Sequence, residues 1–318
     1  MEERKLIRLG NSSFALALPK SWVEKSGLKK GDKVFLENNS NGEIVVSSSF
    51  KKINGDKLIE INVNKLNPNI IGKEISAAYI KGYDSILFAD IKNKELKEVI
   101  KNHLKSLISF EIIESNDQKI LAKDFFNFED AKIETFIKRI ENNLNEMFSI
   151  IIDSLKNNKL SNKNISEIES IEADINKMYN LISRIFFKSI DNPNMINLLK
   201  SDTKKLVNEW WISFNLESIG DRLTDLVKFI LKCEINKEIF PAIISLIELT
   251  KANYESSIHT HFDNNLILEF LNKSKEYQEK VSILKENFKD VDSKILNELK
   301  AIETSCYQNV KMGLYLTL

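Results

Sequence analysis

From Phe128 to Leu318 the chain carries helical periodicity almost without pause, and this run decides what the rest can be. Breaks at Asn157-Asn158, Asp191-Asn192-Pro193, Asn236, Asp263-Asn264-Asn265 and Asp290 divide it into six helices, roughly 129–157, 161–190, 193–234, 237–262, 264–288 and 290–317. Asn and Asp suit such points because their short side chains cap free backbone N–H groups. Long helices with short links pack as antiparallel neighbours in bundles. Six helices divide into two sets of three, so an internal repeat is expected. Nine glycines and four prolines in 318 residues agree with long helices rather than an all-β fold.

Within the third helix, Leu216-Glu217-Ser218-Ile219-Gly220-Asp221-Arg222-Leu223 places Glu217 and Asp221 one turn apart on one face. Two like charges at that spacing disfavour a helix by a few tenths of a kcal/mol, and Gly220 costs about 1 kcal/mol relative to Ala. Ser213 and Thr224 extend this small, polar strip, beside an apolar stripe of Ile212, Leu216, Ile219, Leu223, Leu226 and Ile230. Such a strip lets another backbone or a bound cation come close; the alternative is a solvated acidic face with Arg222 as a neighbour. The sixth helix repeats the pattern in degraded form, with Glu303 at the Glu217 position and Tyr307 at the Asp221 position. The second helix carries its own acidic cluster, Glu167, Glu169, Glu172 and Asp174.

The first fifty residues have another character. Strands are expected at Arg4 to Leu9, Phe14 to Leu18, Lys33 to Glu37 and Glu43 to Ser47, with a short helix from Lys20 to Lys25. Gly27 signals a helix C-cap, and Asn41-Gly42 a hairpin turn. A unit this small cannot bury a core alone, and a second copy is its simplest partner. Residues 1–33 hold eight Lys/Arg against four acids, a local charge of +4 in a chain whose formal net charge is zero. Residues 57–125 then follow the order βαβαββ, a small α/β layer expected to connect or to support dimerisation. His103 is expected on a helix surface.

Arg4 to Ser12, Leu18-Pro19-Lys20-Ser21-Trp22 and Gly27-Leu28-Lys29-Lys30-Gly31-Asp32-Lys33-Val34 resemble the SpoVT/AbrB and MazE swapped-hairpin domain. The resemblance implies an obligate homodimer with interleaved strands in one small β-barrel, and DNA contact through Arg4, Lys5, Arg8, Asn11, Ser12 and Lys20. The alternative is a domain that only dimerises. "NLESIGDRL" and "IEADINKMYNLI" resemble the PhoU family, which implies two three-helix bundles related by a pseudo-two-fold and a role in down-regulating phosphate uptake. It also implies metal, iron or zinc, on the Glu/Asp-x-x-x-Asp motif: Glu217 and Asp221, with Asp174 from the neighbouring helix and Asp225 one turn on. An all-carboxylate site prefers iron, manganese or magnesium. Tyr307 leaves Glu303 alone, so no metal cluster is expected in the second bundle.

The fold expected is therefore multidomain: a swapped-hairpin barrel over residues 1–50, an α/β connecting domain over 51–126, and a PhoU-like helical pair over 127–318. The function expected is an archaeal-type dimeric regulator that binds double-stranded DNA and responds to phosphate status, directly or through a phosphate transporter or signalling protein. The rivals are a PhoU-type adaptor whose N-terminal domain only dimerises it, and a metallo-enzyme or metal-storage site. No Walker A sequence, serine nucleophile elbow or Cys–His arrangement occurs, and no enzyme is expected. His259 and His261 lie about 200° apart on a helix, wrong for a shared ligand. Trp210, Trp211 and Phe214 are expected to pack between helices. Two cysteines and no apolar leader point to a cytoplasmic protein without membrane insertion.

Overall fold

The computed structural model describes residues 3–38, 42, 44–48, 57–66, 70–192, 194–232, 239–259, 264–287 and 293–317. Asn41, Pro193, Cys233, Asn236, Thr260, His261, Asp263 and Asp290, on which several expectations fall, lie outside them. The chain forms two compact units, Met1–Gly55 and Asp56–Leu318.

The first unit contains β1 (Leu6–Leu9), β2 (Ser13–Leu16), α1 (Lys20–Lys25), β3 (Phe35–Asn38) and β4 (Ile44–Ser47). Strands β1 and β2 pair antiparallel about Gly10, which has φ +68°. Strands β3 and β4 pair in the same way, so among the described residues the unit holds two two-stranded ribbons. Gly27, at φ +66°, closes α1: its N–H reaches Glu24 O at 3.1 Å while Leu28 N–H reaches Val23 O at 3.1 Å. That pair of bonds is the Schellman arrangement, and it requires the left-handed backbone that glycine adopts freely.

The second unit opens with β5 (Leu58–Asn62), α2 (Ile71–Ile80), β6 (Ser85–Ala89), α3 (Lys94–Lys105), β7 (Phe110–Ser115) and β8 (Ile120–Asp124). The sheet order is β5-β6-β8-β7, with β5 parallel to β6 and the rest antiparallel. Alternation sends Ile61, Ile86, Phe88, Phe110, Ile120 and Ala122 to one face, where α2 and α3 cover them with Ile71, Ile75, Ile100 and Leu104. The hairpin turn is built by Asn116, whose Oδ1 accepts from Gln118 N and Lys119 N.

The helical part comprises α4 (Ile133–Lys156), α5 (Asn162–Asp191), α6 (Asn194–Leu198), α7 (Thr203–Lys232), α8 (Phe240–His259), α9 (Asn264–Asn287) and α10 (Ser293–Thr317). Helices α4, α5 and α7 form one bundle and α8, α9 and α10 the other; α7 packs on α10 and α4 on α8, so one apolar core runs through both. The expected third helix is in fact two. Lys200 adopts φ +50°, Ser201 N–H turns back to Ile196 O, and Asp202 Oδ1 accepts from Lys205 N at 2.9 Å to start α7 afresh.

One side chain ties the sheet to the bundle. Arg184 of α5 is fully buried, donating to Tyr79 O at 2.5 Å and to Asp124 Oδ2 at 2.5 and 3.1 Å. Its guanidinium lies 4.8 Å from the Tyr79 ring centre. Lys188, one turn on, pairs with Asp84 and crosses Gly82, where a Cβ would come within 2.5 Å of its Cγ. The α/β layer and the helices therefore share one unit, held by buried charge-assisted bonds that are costly to break singly.

Candidate functional site

In the first unit no described residue is buried. Leu6, Ile7, Leu9, Phe14, Leu16, Leu36 and Ile44 are all more than half exposed, although strand alternation ought to hide half of them. Cross-strand pairing puts Leu6 beside Leu16 and Arg8 beside Phe14, so Arg8 shares its ribbon face with three apolar side chains. Of the six residues expected to meet DNA, the fold brings Arg8, Asn11 and Ser12 together at the β1–β2 tip, where Arg8 Nε donates to Gly10 O at 3.2 Å. Arg4 and Lys5 lie at the other end, before β1, and Lys20 opens α1 with Glu24 at 3.6 Å. Arg4, Lys5, Arg8, Asn11, Ser12 and Lys20 are all exposed.

In the second unit, α5 and α7 run antiparallel with an acidic seam along one side. Lys228 pairs with Glu169 at 2.7 Å; further along, Glu172 faces Asp221, and Tyr179 lies near Glu217. Burial, then Asp221 and Glu172, push the Glu217 carboxyl up to about 7. Glu172 is raised by burial and then by Asp221. Asp221 is raised by burial and by Asp225, against the opposing pull of Glu172's hydrogen bond and of Arg222. Carboxyls that face each other in this way share protons, since both cannot ionise cheaply.

The neighbouring-helix partner is thus Glu172, not the expected Asp174. Asp174 is exposed and pairs with Lys177 at 2.9 Å. A helical period would have found this: Glu172 stands four residues after buried Ile168 and three before buried Ile175, whereas Asp174 falls on the opposite side. Asp225 is exposed one turn beyond Asp221. Among the described residues no group of three or more His, Cys, Asp or Glu is arranged to hold a metal ion. The carboxylates of Glu172, Glu217 and Asp221 are donors of a kind that suits a hard cation. Of Asp174, Glu217, Asp221 and Asp225, on which iron, zinc, manganese or magnesium is expected, the fold brings Glu217 and Asp221 together on the seam and leaves Asp174 to its pair with Lys177.

Gly220 serves the close approach of neighbouring helices, the first of the two uses expected of its strip. A Cβ there would stand 3.3 Å from Ile175 Cδ1 and 3.6 Å from Leu144 Cδ2, so the glycine lets α4, α5 and α7 close together. Trp210 stacks on Phe186 with ring centres 4.6 Å apart and donates to Ser183 Oγ, a packing role as expected. In the other bundle Glu303 is buried, one oxygen accepting from Asn253 Nδ2 at 2.7 Å, and burial pushes its carboxyl up to about 7. Tyr307 is about half exposed.

Residues 7–57 match the family model for antidote–toxin recognition MazE, a bacterial antitoxin, and residues 137–230 match the model of the PhoU domain. The chain joins a MazE-like domain to a PhoU domain. No curated protein and no solved structure matches it. The MazE-like match spans β1 to β4, the ribbons whose apolar faces stand open. The PhoU match runs from within α4 to the end of α7 and so takes in Glu172, Glu217 and Asp221, while α8 to α10 lie beyond it. Both are non-enzymatic regulatory domains, and their union is a regulator-type fusion. Among the described residues no helix is long and apolar enough to cross a membrane.

Proposed function

We propose that the protein is a homodimeric regulator that binds double-stranded DNA through its MazE-like domain and links that binding to phosphate uptake through its PhoU domain. The observation that carries the reading is the first unit's surface, apolar strands left uncovered beside exposed basic residues. Burying Leu6, Phe14, Leu16, Leu36 and Ile44 would contribute roughly 1.5–3 kcal/mol each. A second copy has the same unmet need, and isologous pairing answers both. Two copies bring the local charge of +4 twice, about +8, to one surface. Phosphate contacts of that kind release counterions and make affinity fall steeply with salt. The PhoU domain then serves as the sensing half, docking on a phosphate transporter or signalling protein in the cytoplasm.

The test is binding of the full chain to a mixed-sequence duplex across a salt series. The reading expects a log–log slope set by several phosphate contacts, reduced by about one for each of Arg8→Ala and Lys20→Ala. Absence of binding even at low salt, with the dimer intact by sedimentation, would leave the first unit as a dimerisation module and the protein as an adaptor. Genomic occupancy under phosphate starvation and repletion addresses the second half of the reading. Occupancy unrelated to phosphate-transport genes would remove it.

A further inference from the structure

The second bundle holds a feature that the DNA-binding reading does not use. Between α9 and α10 lies an open groove of about 680 Å³, lined by Leu271, Lys275, Tyr277, Lys300, Glu303 and Tyr307 among others. At its floor, three helices bring together Glu303 from α10, Tyr277 from α9 and Asn253 from α8. Glu303 is 7% exposed, and one carboxylate oxygen is taken by Asn253 while Oε2 is buried without a partner. Tyr277 is 4% exposed, and its hydroxyl is likewise buried and unpartnered. Glu303 and Tyr277 both line the same groove.

Buried polar atoms left without partners are unfavourable, and a pair of them beneath an open groove calls for a partner that enters through it. The chemistry of the floor selects the ligand. Once ionised, the Glu303 oxygen can only accept, and the Tyr277 phenol oxygen lining the same groove can accept as well as donate, so a donor with several hydrogens satisfies both. A primary ammonium is such a group, and its charge would displace the proton that burial holds on Glu303. The mouth has the opposite sign: Lys275 and Lys300 line it, both exposed. They repel a plain cation and favour a molecule whose far end is anionic.

We infer that the α9–α10 groove binds a small zwitterionic amine, with its ammonium on Glu303 and Tyr277 and its anionic end between Lys275 and Lys300. The inference is independent of DNA binding. It also gives the degraded motif a use, since Tyr307 lines the groove one turn from Glu303.

The experiment is calorimetric titration of the full chain with short ω-amino acids of graded length, against alkylamines and alkyl carboxylates of matching length. The ω-amino acids are expected to bind, the alkylamines about tenfold more weakly, and the carboxylates not at all. Glu303→Gln keeps the shape of the floor and removes its charge; it should lower ω-amino acid affinity at least tenfold. Tyr277→Phe keeps the ring and should weaken binding several-fold, which guards against misreading a folding defect in the first variant. Failure of every ω-amino acid to bind the wild-type chain would overturn the inference. Unchanged affinity in both variants would overturn it equally, leaving Glu303 as a carboxyl whose free oxygen meets only water.

Discussion

In the first bundle the motif glutamate, Glu217, sits on a seam with Glu172 and Asp221, and all three carboxyls are held above their ordinary range. In the second, Glu303 at the equivalent position sits alone inside the helices, bonded to Asn253 and facing a groove. Both glutamates are pushed up to about 7, with burial the largest cause in each. What differs is the second cause. For Glu217 it is the charge of like neighbours, which a proton or a cation can relieve; for Glu303 no like-charged neighbour contributes. The same helix motif therefore becomes a seam of like-charged carboxyls in one bundle and an isolated buried carboxyl in the other. The residue one turn on, Asp221 or Tyr307, and the closeness of the flanking helix decide which. Gly220 and its counterpart Cys306 mark that closeness: Gly220 admits Ile175 and Leu144, whereas Cys306 fills its own place and is fully buried.

The largest effect should come from breaking the close approach in the first bundle. Gly220→Leu would drive a side chain into Ile175, already 3.3 Å from a bare Cβ, and is expected to cost about 3 kcal/mol in urea melts. Gly220→Ala is the control. Its helix-propensity gain of about 1 kcal/mol offsets a contact only a few tenths of an ångström too tight, so stability should change little. A large loss for Ala as well would show that α5 cannot yield at Ile175. Next in size is the pH dependence. Glu217 and Glu303 both bind protons more tightly folded than unfolded, so their stabilisation is complete below about pH 4.5 and is lost as pH rises through about 7. Glu209, raised to about 7 mainly by burial, adds the same sign. Glu303→Gln should therefore stabilise the protein by roughly 1–3 kcal/mol at pH 8 relative to wild type and little at pH 4.5, read from melts at both values. Glu217→Gln should do the same by a smaller amount, because Glu217 is only half-buried and solvent screens it.

These differences explain what could be read before the structure. Long amphipathic helices declare themselves, because a 3.6-residue period over two dozen residues has few rival explanations, and α4, α5, α8, α9 and α10 fall where expected. The break at Lys200 is hidden, since a lysine with φ +50° carries no glycine to announce it. Glu172 is legible from Ile168 and Ile175 on its own helix, whereas Asp174 comes from the family resemblance, which periodicity on this helix does not support. Arg184 was not legible. Its burial depends on Asp124 and Tyr79, sixty and more residues away, and nothing local distinguishes it from a surface arginine. Glu303 looked like a lone remnant of a motif, and only the placement of Tyr277 and Asn253 from two other helices shows what surrounds it. In the first unit the strand pattern is plain, while the apolar residues it marks, Leu6, Phe14, Leu16, Leu36 and Ile44 among them, are exposed.

The smallest effect is the most discriminating between the bundles. Arg222 joins them, pairing with Glu298 of α10 at 3.2 Å, with its side chain 43% exposed. The Glu298 side chain is 13% exposed, so the pair is half-buried; it is worth about 1 kcal/mol, and the Arg222→Ala loss should shrink at high ionic strength. Arg222 also pulls the Asp221 carboxyl down against burial and Asp225. Removing it lets Asp221 rise further, so the loss of stability with increasing pH should steepen through the seam alone. Combining Arg222→Ala with Asp221→Asn should abolish that added slope, and combining it with Glu303→Gln should leave it whole. An added slope that survives Asp221→Asn would mean that the two carboxyl sites are coupled through α7 and α10, and that the contrast between them is one of degree.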